Sequence, residues 1–192
     1  SYGAMPITVD DLSKADGLVP MSNSEMAQAW IRPGTDFSDY SAYVLLSTRF
    51  AFRESGRRNH DSYPLTDAQK EALLELVPTE VSEELDRLET LTLSHSAGAH
   101  VLLLQISVLD VVSHVPPEPA GRGATFVRTL GEATLAIELR DSMTGELLAS
   151  AIERREVCSS SVRRSNRVWN RTEVRNAAER FGASMRKQVE QF

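Results

Sequence analysis

The sequence predicts a single α+β domain in which two long helices cover one face of a mostly antiparallel, four-stranded sheet, in the order β-α-β-β-β-α. Three observations predict this fold. Apolar and polar residues alternate between positions 131 and 140, as in a half-buried strand. A nearly continuous apolar segment at 100–115 is typical of an interior strand. Two further segments, 66–88 and 170–192, repeat apolar residues at helical spacing.

Residues 1–41 are predicted to form an extended lead-in, and residues 42–192 the domain itself. The lead-in is rich in Ser, Asp, Pro and Gly, and Trp30 precedes a turn at 32–34. Residues 1–5 are interpreted as a cloning scar or a processing remnant, because the chain begins with Ser1 rather than Met. The first strand is predicted at 42–52, and one alternating set of its residues is predicted to face the core: Val44, Leu46, Thr48, Phe50 and Phe52.

A long amphipathic helix is predicted after this strand. Thr66, with Gln69 three residues later, has the capping-box pattern that marks a helix start. Pro78 predicts a bend within one continuous helix, because the apolar stripe stays in phase on both sides of it. That stripe consists of Ala72, Leu73, Leu76, Val77, Val81, Leu85 and Leu88.

The interior strand at 100–115 is followed by a hairpin. Its turn at 141–146 begins with an Asp and contains Gly145, which can adopt positive φ, and β-forming residues resume at Leu147. The second hairpin strand is predicted at 147–157, with Cys158 at its end as a reduced thiol that binds no metal. A terminal helix is predicted to open at Asn170, with Glu173 completing a second capping pattern.

The predicted core lies between one face of the sheet and both helices. The sheet contributes Leu102, Leu104, Ile106, Val108, Leu135, Ile137 and Leu139. The helices contribute Leu73, Leu76, Leu85, Phe181 and Met185. The full stripe of the terminal helix is Val174, Ala177, Ala178, Phe181, Met185, Val189 and Phe192.

Composition argues against several classes of protein. The net charge of -6 argues against a dedicated nucleic-acid binder, and no apolar run approaches the roughly 20 residues of a membrane helix. The spacing of the four histidines is not that of a metal site, and residues 184–187 match a serine-x-x-lysine pattern without the other motifs of that enzyme class. We therefore predict no catalytic residue, no metal ligand and no cofactor.

The one chemical cluster above background consists of Arg163, Arg164, Arg167 and Arg171, with Trp169 between them. Guanidinium groups beside the Trp169 ring suit phosphates and other anions. If the first helix joins parallel strands, the loops 53–64, 116–124 and 159–170 meet at one edge of the sheet, with Arg53 among their basic residues, while Asp86, Glu89, Asp141 and Glu146 occupy the opposite edge. The predicted surface for an anionic envelope component or an acidic protein consists of Arg57, Arg58, Arg122, Arg163, Arg164, Arg167 and Trp169. The alternative is a solvated loop, or arginines that pair with the acidic first helix.

Several stretches together resemble a known family. They are the hairpin at 131–149, the Arg32-Pro33-Gly34 turn before Tyr40, and the segment with Trp169 before the last helix. They resemble bacterial envelope lipoproteins grouped as domain-of-unknown-function family 3313. The resemblance implies export to the periplasm and an N-terminal lipidated cysteine, missing from this chain, that would anchor the native protein at the outer membrane. It implies no catalytic residues.

The functional prediction is a non-catalytic, periplasm-facing lipoprotein that serves as an interaction or assembly module. It is expected to be a monomer that binds no nucleic acid and touches the membrane only through its lipid anchor. The alternative is a small-ligand-binding or hydrolytic envelope enzyme. A deep pocket with a histidine and a carboxylate within hydrogen-bond reach would favour the enzyme.

Overall fold

The computed structural model describes residues 17–54, 62–114, 129–158 and 171–192. The strands in these ranges are β1 (Val19–Pro20), β2 (Gln28–Ile31), β3 (Ala42–Leu45), β4 (Arg49–Phe52), β5 (Thr92–Leu93), β6 (Val101–Ser113), β7 (Thr129–Asp141) and β8 (Leu147–Cys158). The helices are α1 (Asp67–Leu85), α2 (Arg171–Gln191) and a short 3₁₀ turn at Phe37–Asp39.

The strands form one mixed sheet in the order β1-β2-β8-β7-β6-β3-β5, and β4 also pairs with β6. The predicted α+β class and both long helices are confirmed. The predicted four strands are too few, because eight pair within the described residues. Two of the additional strands, β1 and β2, come from the predicted lead-in, where β2 hydrogen-bonds antiparallel to β8. The sheet is mixed rather than mostly antiparallel, because β3 pairs parallel with both β5 and β6, and β4 also pairs parallel with β6.

The predicted strand 42–52 is divided into β3 and β4 by a bulge. Three residues separate Leu45 from Arg49, while only two separate their partners on β6, Leu104 and Ser107. The buried amide of Gln105 bridges the interruption by donating to the Ser47 carbonyl over 2.8 Å.

The extra residue in this bulge reverses the side of the sheet that each side chain faces. Tyr43 is buried and Leu45 packs against the core, so the predicted inward placement of Val44 and Leu46 is wrong. After the bulge the predicted set is correct, since Phe50 and Phe52 pack against the core.

The predicted core between sheet and helices is confirmed. Register places Leu104 opposite Leu139, Ile106 opposite Ile137 and Val108 opposite Leu135. Every core residue predicted from β6, β7 and the two helices is at most 5% exposed and belongs to one hydrophobic cluster. The predicted inward faces of β6, β7 and the two helices are therefore confirmed.

The two long helices lie side by side and run in the same direction. Arg171 near the start of α2 pairs with Glu75 in α1, and Arg186 near the end of α2 pairs with Glu84 near the end of α1. The capping box of α1 is confirmed, with Thr66 accepting from the Gln69 amide and Gln69 accepting from the Thr66 amide. Pro78 lies inside one continuous helix.

A candidate functional site: the aromatic cleft

The sheet has two chemically different ends. Phe52, Ser113 and Cys158 end their strands at one end, as their pairing with Val111, Gly131 and Thr129 shows. The common direction of these strands was predicted and is confirmed. At the other end, β6 begins beside the hairpin turn, where Leu102 lies opposite Asp141.

The anion-binding surface was predicted at the end where β4, β6 and β8 terminate. Its members, Arg57, Arg58, Arg122, Arg163, Arg164, Arg167 and Trp169, all lie outside the described residues. The surface therefore stays a prediction.

Arg53, which was assigned to the same rim, has a different role in the structure. Its guanidinium group donates two hydrogen bonds of 2.7 Å to the Asp110 carboxylate. Arg154 also bonds Asp110, over 3.1 Å, and Glu132, over 2.8 Å, so the network joins the residue after β4 to β6, β7 and β8. These arginines hold the pKa of Asp110 and that of Glu132 below their usual values, chiefly through hydrogen bonds. The network is structural, and Arg53 is not free to bind a partner.

The opposite end of the sheet contains a cleft of about 440 Å³, which we call the aromatic cleft. Leu102 and Leu139, each 1% exposed, belong to the sheet and lie at its base. The 3₁₀ turn, the segment after α1 and the end of α2 supply the other residues. The full lining is Phe37, Ser38, Tyr40, Thr90, Leu91, Leu102, Leu139, Val189, Glu190 and Phe192.

Three aromatic rings lie next to one another along this cleft. The Phe37 centroid is 5.9 Å from that of Phe192 and 6.3 Å from that of Tyr40. The 3₁₀ turn that positions Phe37 is capped by Asp36, whose carboxylate accepts from the Ser38 amide over 3.0 Å. The rings thus belong to two distant parts of the chain that the fold brings together.

Tyr40 is fixed by the hairpin turn. Its hydroxyl donates to Asp141 over 2.7 Å, and the other oxygen of Asp141 accepts from the Met143 and Thr144 amides. Burial, together with the hydrogen bond to Asp141, raises the pKa of Tyr40 to about 12, so the ring stays uncharged at neutral pH. In turn, the pKa of Asp141 lies below its usual value, and the hydrogen bond from Tyr40 makes the largest contribution to this shift.

The cleft opens among acidic groups. Glu190 lines it and pairs with Arg186 over 2.9 Å, while Glu146 in the hairpin turn pairs with Arg32 over 3.0 Å. Asp36, Asp39 and Asp141 have no basic partner among the described residues. The sequence prediction of an acidic edge is therefore confirmed for Asp141 and Glu146. At the same end, burial and then the charge of Asp86 raise the pKa of Tyr43.

The aromatic cleft itself was not predicted. Phe37 and Phe192 lie at opposite ends of the chain, and neither stands in a motif that indicates a site. The available signals were the terminal helix stripe, which includes Phe192, and the turn before Tyr40. Neither signal shows that the two segments meet.

Comparison with known proteins identifies the family. The family model described as "Protein of unknown function (DUF3313)" matches residues 10–185. The chain belongs to the DUF3313 family. No curated protein matches it.

Several solved structures resemble this DUF3313 protein at low identity. The PelC dodecamer from Paraburkholderia phytofirmans is 13% identical, with a TM-score of 0.41, over 84% of this chain and 94% of that chain. The hypothetical protein CT253 from Chlamydia trachomatis is 12% identical, with a TM-score of 0.44, over 79% and 97%. Protein XCC0632 from Xanthomonas campestris is 12% identical, with a TM-score of 0.42, over 83% and 86%.

The chemistry of the cleft in this DUF3313 protein suits binding. The described residues that line it include no histidine, cysteine or lysine. Among the described residues, no three His, Cys, Asp or Glu side chains are placed to hold a metal ion, and no described helix is long and apolar enough to cross a membrane. The described carboxyl groups whose pKa departs from its usual value all have it lowered, as expected of ionised hydrogen-bond and ion-pair partners.

Proposed function

We propose that this protein is a non-catalytic binding module of the bacterial cell envelope, which faces the periplasm from a lipid anchor and holds a ligand or partner group in the aromatic cleft. The observation that carries the proposal is the cleft itself. It has an apolar base, a wall of three rings and a few polar groups at its edge, the composition typical of a ligand site.

The same lining favours binding over hydrolysis. A hydrolytic site needs a nucleophile or an activated water beside a base whose pKa lies near the working pH. Among the described residues of the lining, Glu190 supplies the one carboxylate, which is paired with Arg186, and none of them is a histidine. At the same end of the sheet, the Nδ1 atom of His100 lies 2.7 Å from the backbone oxygen of Asp39.

The envelope location rests on the resemblance of the hairpin and its flanking segments to bacterial envelope lipoproteins. Metabolic labelling of the native gene product with a clickable fatty acid tests it. We expect labelling that is lost when the first cysteine of the native lipobox is replaced by serine, together with recovery in the membrane fraction. A native product that is neither labelled nor exported would refute the location.

Binding is tested with an uncharged naphthylamine dye that fluoresces in apolar surroundings. Thr90 is exposed and lines the cleft, so Thr90→Trp should place an indole in its mouth. Thr92 is equally exposed, lies two residues further along and is outside the lining, which makes Thr92→Trp the matched control. We expect saturable dye binding by the wild type and by Thr92→Trp, and strongly weakened binding by Thr90→Trp.

Two results would refute the proposed function. Equal dye binding by both tryptophan variants would place the binding elsewhere. Turnover of chromogenic esters that Thr90→Trp abolishes and Thr92→Trp retains would show a hydrolytic enzyme. Circular dichroism of each variant confirms that the comparison is made between folded proteins.

A further inference from the structure

The aromatic cleft combines two features that have no common structural purpose. One is the contiguous wall formed by Phe37, Tyr40 and Phe192. The other is the set of carboxylates around it, of which Asp39 and Asp141 are within electrostatic reach of the Tyr40 hydroxyl. Asp36 caps the 3₁₀ turn and Asp141 holds Tyr40, but a hydrophobic seal would not need the further negative charge of Asp39.

We propose that the aromatic cleft binds an organic cation that carries a methylated ammonium group. Aromatic rings attract cations through the negative potential of their faces, and this attraction is strongest where the cation is shielded from water. The acidic mouth adds a long-range attraction for positive charge and repels anions. The inference rests on the proposed function and names the ligand class of the same site.

The apolar base of the cleft favours a methylated ammonium group over a primary one. A primary ammonium group carries three N–H donors, each of which loses a hydrogen bond to water on burial. Leu102, Leu139 and Val189 have no side-chain acceptor to replace those bonds, whereas methyl groups pack against them at no such cost. The cavity volume of about 440 Å³ exceeds that of a trimethylammonium group, so the cation should be attached to a larger body.

Three small probes of similar size separate the contributions of charge and methylation. They are choline, ethanolamine, and the uncharged alcohol in which a tert-butyl group replaces the trimethylammonium group of choline. Affinities are measured by ligand-observed NMR with the whole chain at low ionic strength. We expect choline to bind roughly tenfold more tightly than either of the other two. Raising the salt concentration should weaken choline binding and leave the uncharged alcohol unaffected.

Variants in the lining test which groups are responsible. Phe37→Leu keeps an apolar side chain but removes a ring, and it should weaken choline binding several-fold without weakening the uncharged alcohol. Phe50→Leu removes a ring from the stacked Phe50–Phe52 pair outside the cleft and is its control. Glu190→Gln should likewise weaken choline binding selectively, while Glu179→Gln, at an exposed α2 position outside the lining, should not.

Each outcome decides between the two proposals. If the uncharged alcohol binds as tightly as choline, the cleft is an apolar site and the cation inference fails while the binding function stands. If ethanolamine binds as tightly as choline, the preference for methylation is refuted. If none of the probes binds and the naphthylamine dye also fails to bind, the proposed function fails as well.

Discussion

Replacement of Gly182 by alanine should destabilise the protein, although alanine is the better helix former. Gly182 lies in the middle of α2 and is buried against α1. A Cβ atom there would lie 3.0 and 3.1 Å from side-chain carbons of Glu84 and 3.2 Å from the Cα of Val81. Carbon atoms pack favourably at about 3.5–4.0 Å, so α1 would have to move away.

The magnitude follows from two opposing terms. Alanine gains about 1 kcal/mol over glycine in a helix interior, whereas overpacking a well-packed interface costs about 1–3 kcal/mol. We place the cost near the upper end, because Val81 presents backbone and the Glu84 side chain is held by Arg186 at 3.1 Å and by Arg87 at 3.4 Å. The expected net loss is about 1–2 kcal/mol of the free energy of unfolding.

Urea unfolding followed by circular dichroism measures this loss. Asn176→Ala, at an exposed position of the same helix, is the control and should stabilise by about 0.5 kcal/mol through helix propensity alone. If Gly182→Ala stabilises the protein as Asn176→Ala does, the two helices are further apart than described and the packing argument is refuted.

The other predictions concern buried hydroxyls, the cleft tyrosine and the arginines. Ser150→Ala should stabilise the protein by about 1 kcal/mol, because the buried Ser150 hydroxyl has no partner. By contrast Ser142→Ala should cost about 1–2 kcal/mol in the same urea assay, because it removes two hydrogen bonds to Gly98. Tyr40→Phe should cost about 1 kcal/mol between roughly pH 5 and 9. The stability difference between wild type and Tyr40→Phe should vanish in acid, as the pH falls through the lowered pKa of Asp141. It should also vanish in base, as the pH rises through the raised pKa of Tyr40. A pH series of urea unfolding midpoints measures both limits. Loss of three loop arginines should weaken binding to heparin and to anionic liposomes at low salt, and unchanged binding would show that they are solvated loop residues. The variant is Arg163→Ala, Arg164→Ala and Arg167→Ala, with Arg175→Ala, Arg180→Ala and Lys187→Ala at exposed positions of α2 as the control of equal charge change.

Features that depend on near neighbours in the chain were predicted from the sequence. The capping box at Thr66 and the turn from Asp141 to Gly145 are each closed by contacts within a few residues. The apolar stripes of the two helices and the alternation at 131–140 indicate which face of each helix or strand is apolar. Because one apolar face must cover another, they also predicted that Ile106 and Ile137 are buried on the same face of the sheet.

Features that depend on register between distant segments were decided by the tertiary structure. One extra residue between Leu45 and Arg49 reverses the buried face of the first strand, and the sequence pattern is equally apolar on both sides there. The lead-in joins the sheet through β2, because the free edge of β8 offers hydrogen-bonding groups that no local pattern reveals.

The sequence by itself determined the α+β class, the two helices, the hairpin, the core and the direction of the strands, since each follows from periodicity or chain direction. Only the tertiary structure decided the number of strands, the bulge and the aromatic cleft. The cleft exists because the 3₁₀ turn with Phe37 and the end of α2 with Phe192 meet above Leu102 and Leu139. Such a meeting depends on the packing of the whole chain, and periodicity along a single element carries no information about it.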